Sequence, residues 1–346
     1  MNRRKARRIA GLVAVWVIAM AVILWLLPGE FRRSYALGYA LACALAIYAI
    51  SKVHQYVLPQ LRRMPLYVAV GVTALLYMGT IVVSSALGIV ILVGFATGSR
   101  ADVEQVFVHF FSRGWEVTLG VPFLIALGIL FLVELSRRIG PGRLVSLLLG
   151  RYRNPREETR LFLLIDVCGS TTLAESLGSV LYSTLLRDFF DDLTEPVLET
   201  GGEIVEYVGD EAIVSWRFRP ERAGEALRCY LLFRKRIQDR SSEYKKQFGV
   251  LPKFKAALHA GPVVATEVGQ LKTQVVLHGD ALNTASRVLA QCNELEAELL
   301  VTESVAPYLA PVEGFRIVDL GRVSLRGKWE AVGLSRLTIR SESATD

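Results

Sequence analysis

The chain has 346 residues, of which 52% are hydrophobic, and a formal net charge of +7. Its mean hydropathy of +0.37 is high, and the apolar residues concentrate before about Leu149, which argues against a single soluble domain. The basic residues flank the apolar segments, as they do beside membrane helices, so we predict no nucleic-acid partner. The four cysteines form no CxxC pair, which disfavours a zinc site or a disulfide framework.

Four long apolar segments follow one another from the N-terminus. Each is about long enough to cross a hydrocarbon core of roughly 30 Å. We predict a four-helix transmembrane anchor over residues 1–139. Residues 64–99 carry no charge, so one long helix, a kinked helix and two helices all stay open for this segment. The predicted spans are residues 9–27, 35–56, 66–97 and 115–136.

Basic residues decide the orientation of these spans. The N-terminus and the segments 52–63 and 137–156 are rich in lysine and arginine, and such segments stay on the cytoplasmic side. Four spans place all three segments on that side, whereas five spans would separate them. We therefore expect a multi-pass protein of the inner (plasma) membrane, with both termini and the C-terminal domain in the cytoplasm.

A connector of residues 140–158 follows the last predicted span. Gly140, Pro141 and Gly142 interrupt the helix, and a short basic amphipathic stretch comes next. Such a stretch can lie on anionic membrane lipid or pair with its copy in a second chain. A passive linker is the third possibility.

Strand-like and helix-like patterns alternate in residues 159–340, which predicts an α+β domain with a flexible tail at 341–346. The predicted helices cover residues 170–200, 220–248 and 281–292. The predicted strands cover residues 161–165, 203–208, 211–216, 254–259, 263–268 and 274–277.

Two aspartates stand at strand ends in this domain. Asp166 ends an apolar strand, and Asp210 occupies a turn between two strands. Two carboxylates at adjacent strand ends suit a hard divalent cation, although a single aspartate there is more often a turn or cap residue. Gly169, Ser170 and Thr171 lead into a helix, and a helix N-terminus can hold phosphate.

Five segments of this half resemble, in order, the motifs of class III nucleotidyl cyclases. The first two resemble the family's metal motifs, the third its core strand pair, the fourth its Asn…Arg helix and the fifth its C-terminal Leu-Lys-Gly segment. They are Phe162–Thr172, Gly202–Glu211, Leu258–Val264, Gly279–Val288 and Leu325–Lys328.

The resemblance implies a ferredoxin-like core and a homodimer with active sites at the interface. It implies an adenylate cyclase that converts ATP to 3′,5′-cyclic AMP and pyrophosphate. Asp166 and Asp210, with the backbone carbonyl of Ile165, would hold two Mg²⁺ or Mn²⁺ ions. Asn283 and Arg287 would come from the partner chain to orient the ribose and to stabilise phosphoryl charge.

Other positions depart from the family's pattern. Arg326 stands where a phosphate-binding lysine is usual, and Lys328 is the alternative supplier of that charge. Glu206 and Val276 replace the usual base-selecting lysine and its Asp or Thr partner. A carboxylate can accept hydrogen bonds from adenine or guanine, so GTP stays open beside ATP.

Two wider alternatives stay open as well. The domain could be a non-catalytic cyclase-like module that binds nucleotide or only dimerises, although the four retained catalytic positions argue against it. The membrane region could act as a receptor that shifts the cyclase between states or as a plain anchor.

Overall fold

The computed structural model divides the chain into two compact units, Met1–Arg138 and Ile139–Asp346. Most of the second unit is described, and only scattered positions of the first. The described residues are 68, 71–76, 79–80, 82–83, 124, 128, 150–270, 273–309 and 315–339.

The described residues of the first unit are helical. They fall inside the third and fourth predicted spans, whereas the spans 9–27 and 35–56 lie wholly outside the described residues. Within the part of the chain that the structure describes, no helix has the length and apolar character needed to cross a bilayer. The four-span anchor therefore stays a prediction.

The second unit contains eight strands and five α-helices among its described residues. Two short 3₁₀ turns, Pro220–Arg222 and Ala306–Tyr308, complete it. The helices are α1 (Ser170–Leu177), α2 (Ser179–Thr200), α3 (Ala223–Asp239), α4 (Ser241–Phe248) and α5 (Asp280–Glu294). The strands are β1 (Arg156–Val167), β2 (Glu203–Val208), β3 (Glu211–Arg217), β4 (Phe254–Val268), β5 (Gln274–His278), β6 (Leu299–Thr302), β7 (Phe315–Val323) and β8 (Val332–Ile339).

These strands form one sheet in the order β2-β3-β1-β4-β6-β8-β7, with β5 also paired to β4. β1 is antiparallel to both β3 and β4, and β2 forms a hairpin with β3. The helices α1 and α2 connect β1 to β2, and α3 and α4 connect β3 to β4. This βαββαβ arrangement is the predicted ferredoxin-like core.

Alternate residues of β1 point to opposite faces of the sheet, and both faces are covered. Leu163 and Ile165 pack with α2 and α3, where Phe189 and Phe233 are fully buried. Phe162 and Leu164 pack with α5. Asp166 has the same parity as these last two residues, so it lies on the α5 face at the end of the strand.

Several predicted boundaries differ from the observed ones. The helix predicted over 170–200 breaks at Gly178, which adopts a φ of 75°. The helix predicted over 220–248 is divided near Arg240 into α3 and α4. β1 begins at Arg156, inside the segment predicted as the connector. Tyr152 lies just before it, and its hydroxyl accepts hydrogen bonds from Arg160 and Arg217.

The prediction of two separate strands around 260–262 is wrong, because β4 is continuous from Phe254 to Val268. Pro262 is tolerated because of where it falls. β6 pairs with β4 only as far as Leu258, and β5 pairs from Val264 onward on the same edge. The proline nitrogen faces the gap between these two partners, so the sheet loses no ladder hydrogen bond.

Candidate active site

The end of β1 carries a charged row across three strands. Asp166 lies directly opposite Glu211 on β3 and opposite Lys255 on β4. Directly opposed residues share a face of the sheet, and the Lys255 Nζ is 3.3 Å from Asp166 Oδ2. The register therefore places two carboxyl groups and an ammonium group together.

The β2–β3 hairpin brings a third carboxyl group to this row. Gly209 has a φ of 61°, a conformation that glycine adopts without strain, and it allows the tight turn that presents Asp210. The charge of Asp210 and a hydrogen bond between the two side chains both act on Asp166. The two predicted metal ligands are thus brought together within one chain.

The carboxyl groups of this row disfavour each other's ionisation. Burial, followed by the charge of Asp210, raises the pKa of Asp166, and Lys255 partly opposes this. Burial, with the charges of Asp166 and Asp210, raises the pKa of Glu211 to about 7. This end of the sheet therefore carries an excess of negative charge, which Lys255 only partly offsets.

The donor set fits a magnesium or manganese ion. Within the described ranges, no group of three His, Cys, Asp or Glu side chains could hold a metal. Mg²⁺ usually takes only one or two protein carboxylates and completes its shell with water and substrate phosphates. Asp166 and Asp210, with the main chain at Ile165, meet that requirement, and a cation would relieve their mutual repulsion.

The loop after β1 leads directly into a helix, as predicted. Gly169 adopts a φ of 65° as the residue before α1, and no side chain caps the helix. Ser170 is the first helical residue, and Thr171 is exposed. Tyr182 on α2 also belongs here, because Ser170 hydrogen-bonds it and Asp210 acts on its pKa, which burial raises.

A second set of predicted residues lies on α5. Asn283 is exposed and Arg287 is half-buried, and both belong to one helix as predicted. The helix can approach β4 closely because Gly261 has no Cβ. A Cβ at that position would lie 2.8 Å from the Cβ of Ala281. The Arg287 Nη1 donates to the carbonyl of Gly327 at 3.2 Å.

The loop that contains Gly327 supplies further cations. Lys328 forms an ion pair with Asp280 at the start of α5, whereas Arg326 is exposed. His259 lies nearby, and burial, with the charge of Lys328, lowers its pKa to about 4. Its Nδ1 is 2.9 Å from Thr302 Oγ1. This region, unlike the end of β1, already carries an excess of positive charge.

The two sets lie along different parts of α5 within one chain: the carboxylates are near its C-terminal end, Asn283 is in its first turn and Arg287 is at its middle. Lys255, which pairs with Asp166, also donates to Asn293 Oδ1 near the C-terminal end of α5 at 3.3 Å. Asn283 is ten residues earlier, about 15 Å along the helix axis. Arg287 is six residues earlier and is directed towards Gly327. One chain therefore does not bring Asn283 and Arg287 to Asp166.

The predicted base-selecting residues are also separated. Glu206 is exposed on β2, next to an irregularity in the pairing with β3. Val276 is half-buried on β5 and pairs with Thr266. The sheet order puts β3, β1 and β4 between these two strands, a distance of about 19 Å at the usual strand spacing.

Sequence reasoning missed Glu211, Lys255 and Tyr182. Glu211 is adjacent to Asp210, so the sequence carried a signal for it. Lys255 needed the register between β1 and β4, which local patterns do not specify. Tyr182 needed the path of α2 after the break at Gly178.

Comparison with known proteins agrees with this fold. Residues 154–336 match the family described as the adenylate and guanylate cyclase catalytic domain. The match covers more than half of the chain, so the chain belongs to this family.

The chain is also similar in sequence to two curated relatives. The chain is 35% identical to adenylate cyclase 2 of Rhizobium meliloti (strain 1021) over 216 residues, which are 62% of this chain and 60% of that protein. It is 30% identical to an adenylate cyclase of Anabaena cylindrica over 188 residues, 52% of this chain and 36% of that protein. The chain thus spans less than two thirds of either relative.

A solved structure supports the fold. A bacterial light-regulated adenylyl cyclase superposes with a TM-score of 0.52 at 20% identity. The superposition covers 66% of this chain and 65% of that one.

Proposed function

We propose that this chain is an adenylate cyclase that converts ATP to 3′,5′-cyclic AMP and pyrophosphate at the interface of a homodimer. The observation that carries the proposal is the division of the site. Asp166 and Asp210 face each other at one end of α5, and Arg287 faces the Gly327 loop towards the other end. Two antiparallel copies can unite these halves twice, by two-fold symmetry.

Asp166 and Asp210 would hold two Mg²⁺ or Mn²⁺ ions, with the carbonyl of Ile165 as a further ligand. When bound, such ions make the ribose 3′-hydroxyl a better nucleophile and neutralise charge on the triphosphate. Gly169, Ser170 and Thr171 would bind the phosphates, because the backbone N–H groups at the start of α1 lack helical partners.

The partner copy would supply the remaining groups. Asn283 would orient the ribose, and Arg287 would stabilise the charge that develops on the transferring phosphoryl group. A guanidinium suits this role because its planar fork matches two phosphate oxygens. Lys328 and Arg326 would bind the outer phosphates, with Lys328 exchanging Asp280 for substrate.

Guanylate cyclase activity is the second candidate, and Glu206 favours it. Its carboxylate is exposed, and guanine offers two neighbouring donors, N1–H and the amino group, that a carboxylate can accept. Val276 contributes no polar group. ATP is the first choice because both curated relatives compared above are named adenylate cyclases.

A product assay tests both candidates. Membranes containing the full-length chain are incubated with Mn²⁺ and either ATP or GTP, and the products are identified by chromatography and mass. We expect cyclic AMP from ATP and none from the Asp166→Ala variant. If guanine is the true base, the main product is cyclic GMP, and Glu206→Lys lowers it relative to cyclic AMP. No cyclic product from either nucleotide contradicts the proposal.

We also propose that residues 1–139 anchor the enzyme in the inner membrane, with membrane lipid around four spans and the catalytic unit in the cytoplasm. The apolar segments and the basic residues beside them support this. Extraction at alkaline pH tests the anchor, because an integral protein stays in the pellet. Regulation through the anchor is tested by comparing full-length activity with that of residues 150–346 at equal dimer content.

A further inference from the structure

Lys255 forms an ion pair at 3.3 Å with Asp166, one of the two proposed metal ligands. Its side chain is only 14% exposed, and that of Asp166 is 20% exposed. Its charge acts on Glu211 as well as on Asp166. A partly desolvated ammonium group interacts more strongly with such carboxylates than a surface lysine does.

Lys255 also has a second partner that is not acidic. The Nζ atom donates to Asn293 Oδ1 at 3.3 Å, so the ammonium group lies between β1 and the C-terminal end of α5. An ammonium group that loses Asp166 can keep the bond to Asn293. Lys255 can therefore withdraw from the carboxylates without leaving the protein surface for bulk water.

We propose that Lys255 is an internal counter-ion of the metal site, which neutralises Asp166 in the metal-free enzyme and withdraws towards Asn293 when a divalent cation binds. This inference rests on the proposed metal-dependent function and extends it. Lys255 acts as a positioning residue that sets the affinity for metal, because the cation must displace the ion pair and then tolerate a nearby positive charge.

Lys255 would then stabilise the metal-free protein and lower its affinity for the metal. Asp166, Asp210 and Glu211 repel one another, and Lys255 reduces that repulsion. Removing its charge should leave the metal-free fold less stable and the metal-bound form more favoured. Since ligand that binds only the folded state stabilises it, the rise in melting temperature on adding Mn²⁺ should grow.

The test measures Mn²⁺ binding directly on the full-length chain in detergent, without nucleotide, from the loss of the free-ion electron paramagnetic resonance signal. We expect Lys255→Met to bind Mn²⁺ about five- to tenfold more tightly, the effect of one nearby charge in a partly aqueous setting. Lys255→Arg, which keeps the charge, should resemble wild type. If Lys255→Met does not fold, Lys255→Gln provides a second neutral side chain.

Lys253→Met is the matched control, because it removes the same charge from an exposed position two residues away. It should leave Mn²⁺ affinity within about twofold, as expected for a screened surface charge. Asp166→Asn should abolish Mn²⁺ binding at this site. Suppose that Mn²⁺ binding still depends on Asp166, but both neutral Lys255 variants bind the ion as tightly as wild type or less tightly. That result overturns the role of Lys255 and leaves the cyclase proposal standing. Absence of any Asp166-dependent binding removes the metal site itself, and the product assay then decides the function independently.

Discussion

The two ends of α5 are electrostatic opposites. At the C-terminal end, Asp166, Asp210 and Glu211 face one another, and the positive charge of Lys255 partly offsets theirs. Towards the N-terminal end, the Gly327 loop and Arg287, which lies at the middle of the helix, form a cationic surface. Each end carries an excess of one sign of charge, and like charges placed close together destabilise the fold.

If two chains complete the site, as proposed, this difference in charge gives a reason for the division. A substrate with a triphosphate and divalent cations needs carboxylates for the metal and cations for the phosphates. If both sets lay together in one chain, they would form ion pairs with each other and fill the site. Arg287 is about 9 Å along the helix axis from the end that carries the carboxylates, and its side chain is directed towards Gly327. In the proposed dimer, this separation would keep each set available until a second copy and substrate bring them together.

Removing a carboxylate from the acidic end should produce the largest effect. We expect Asp210→Asn to lower cyclase turnover by about a thousandfold or more, because metal stabilisation of the transition state is worth several kcal/mol. Thermal stability should not fall, since the repulsion of Asp166 is relieved. Turnover at saturating Mn²⁺ and ATP, measured with the melting temperature, checks both expectations.

Asp239→Asn is the control for this variant, because Asp239 is exposed at the end of α3. It removes the same charge away from the acidic end and should leave turnover unchanged. An Asp210→Asn enzyme that keeps normal turnover would show that the acidic end plays no part in the reaction.

Removing a cation from the opposite end should have the next largest effect and also test the division. We expect Arg287→Ala to lower turnover about a hundred- to a thousandfold, the usual loss for a group that stabilises transition-state charge. Mixing equal amounts of Arg287→Ala and Asp210→Asn chains should restore about a quarter of wild-type activity, because half of the dimers are mixed and each contains one intact site.

Chain exchange must be demonstrated for this experiment, for instance by co-purification through two different affinity tags. If mixed dimers are present and activity stays at the level of the single variants, the two ends do not meet between chains. The separation along α5 would then need another explanation.

The sequence predicted the parts of this comparison that local patterns encode. β2 was predicted with its observed bounds of 203–208, because glycines mark both of its ends. The placement of Asp210 in a tight turn and of Asn283 and Arg287 in one helix was confirmed. These features depend only on neighbours within a few residues.

What the sequence could not predict depends on register and on distant partners. The pairing of Asp166 with Lys255 and Glu211 joins residues tens of positions apart. The uninterrupted course of β4 through Pro262 depends on where β5 and β6 pair with it. The opposite charge of the two ends therefore became visible only with the sheet register.

The smallest expected effect is an opposite response of the two ends to pH. Glu211 has a folded-state pKa of about 7, raised from 4.5, so its contribution to stability is full below pH 4.5 and is lost as the pH rises through 7. His259 has a pKa lowered from 6.5 to about 4, so its contribution is full above pH 6.5 and is lost as the pH falls towards 4.

Each variant that removes one group should flatten one side of the stability profile. Glu211→Gln should flatten the neutral side, and His259→Asn, which can keep a hydrogen bond to Thr302, should flatten the acid side by roughly 1–3 kcal/mol. Melting temperatures of the full-length chain between pH 4.5 and 8, in the presence of a chelator, measure both, and identical profiles for wild type and the two variants would mean that neither end is electrostatically strained.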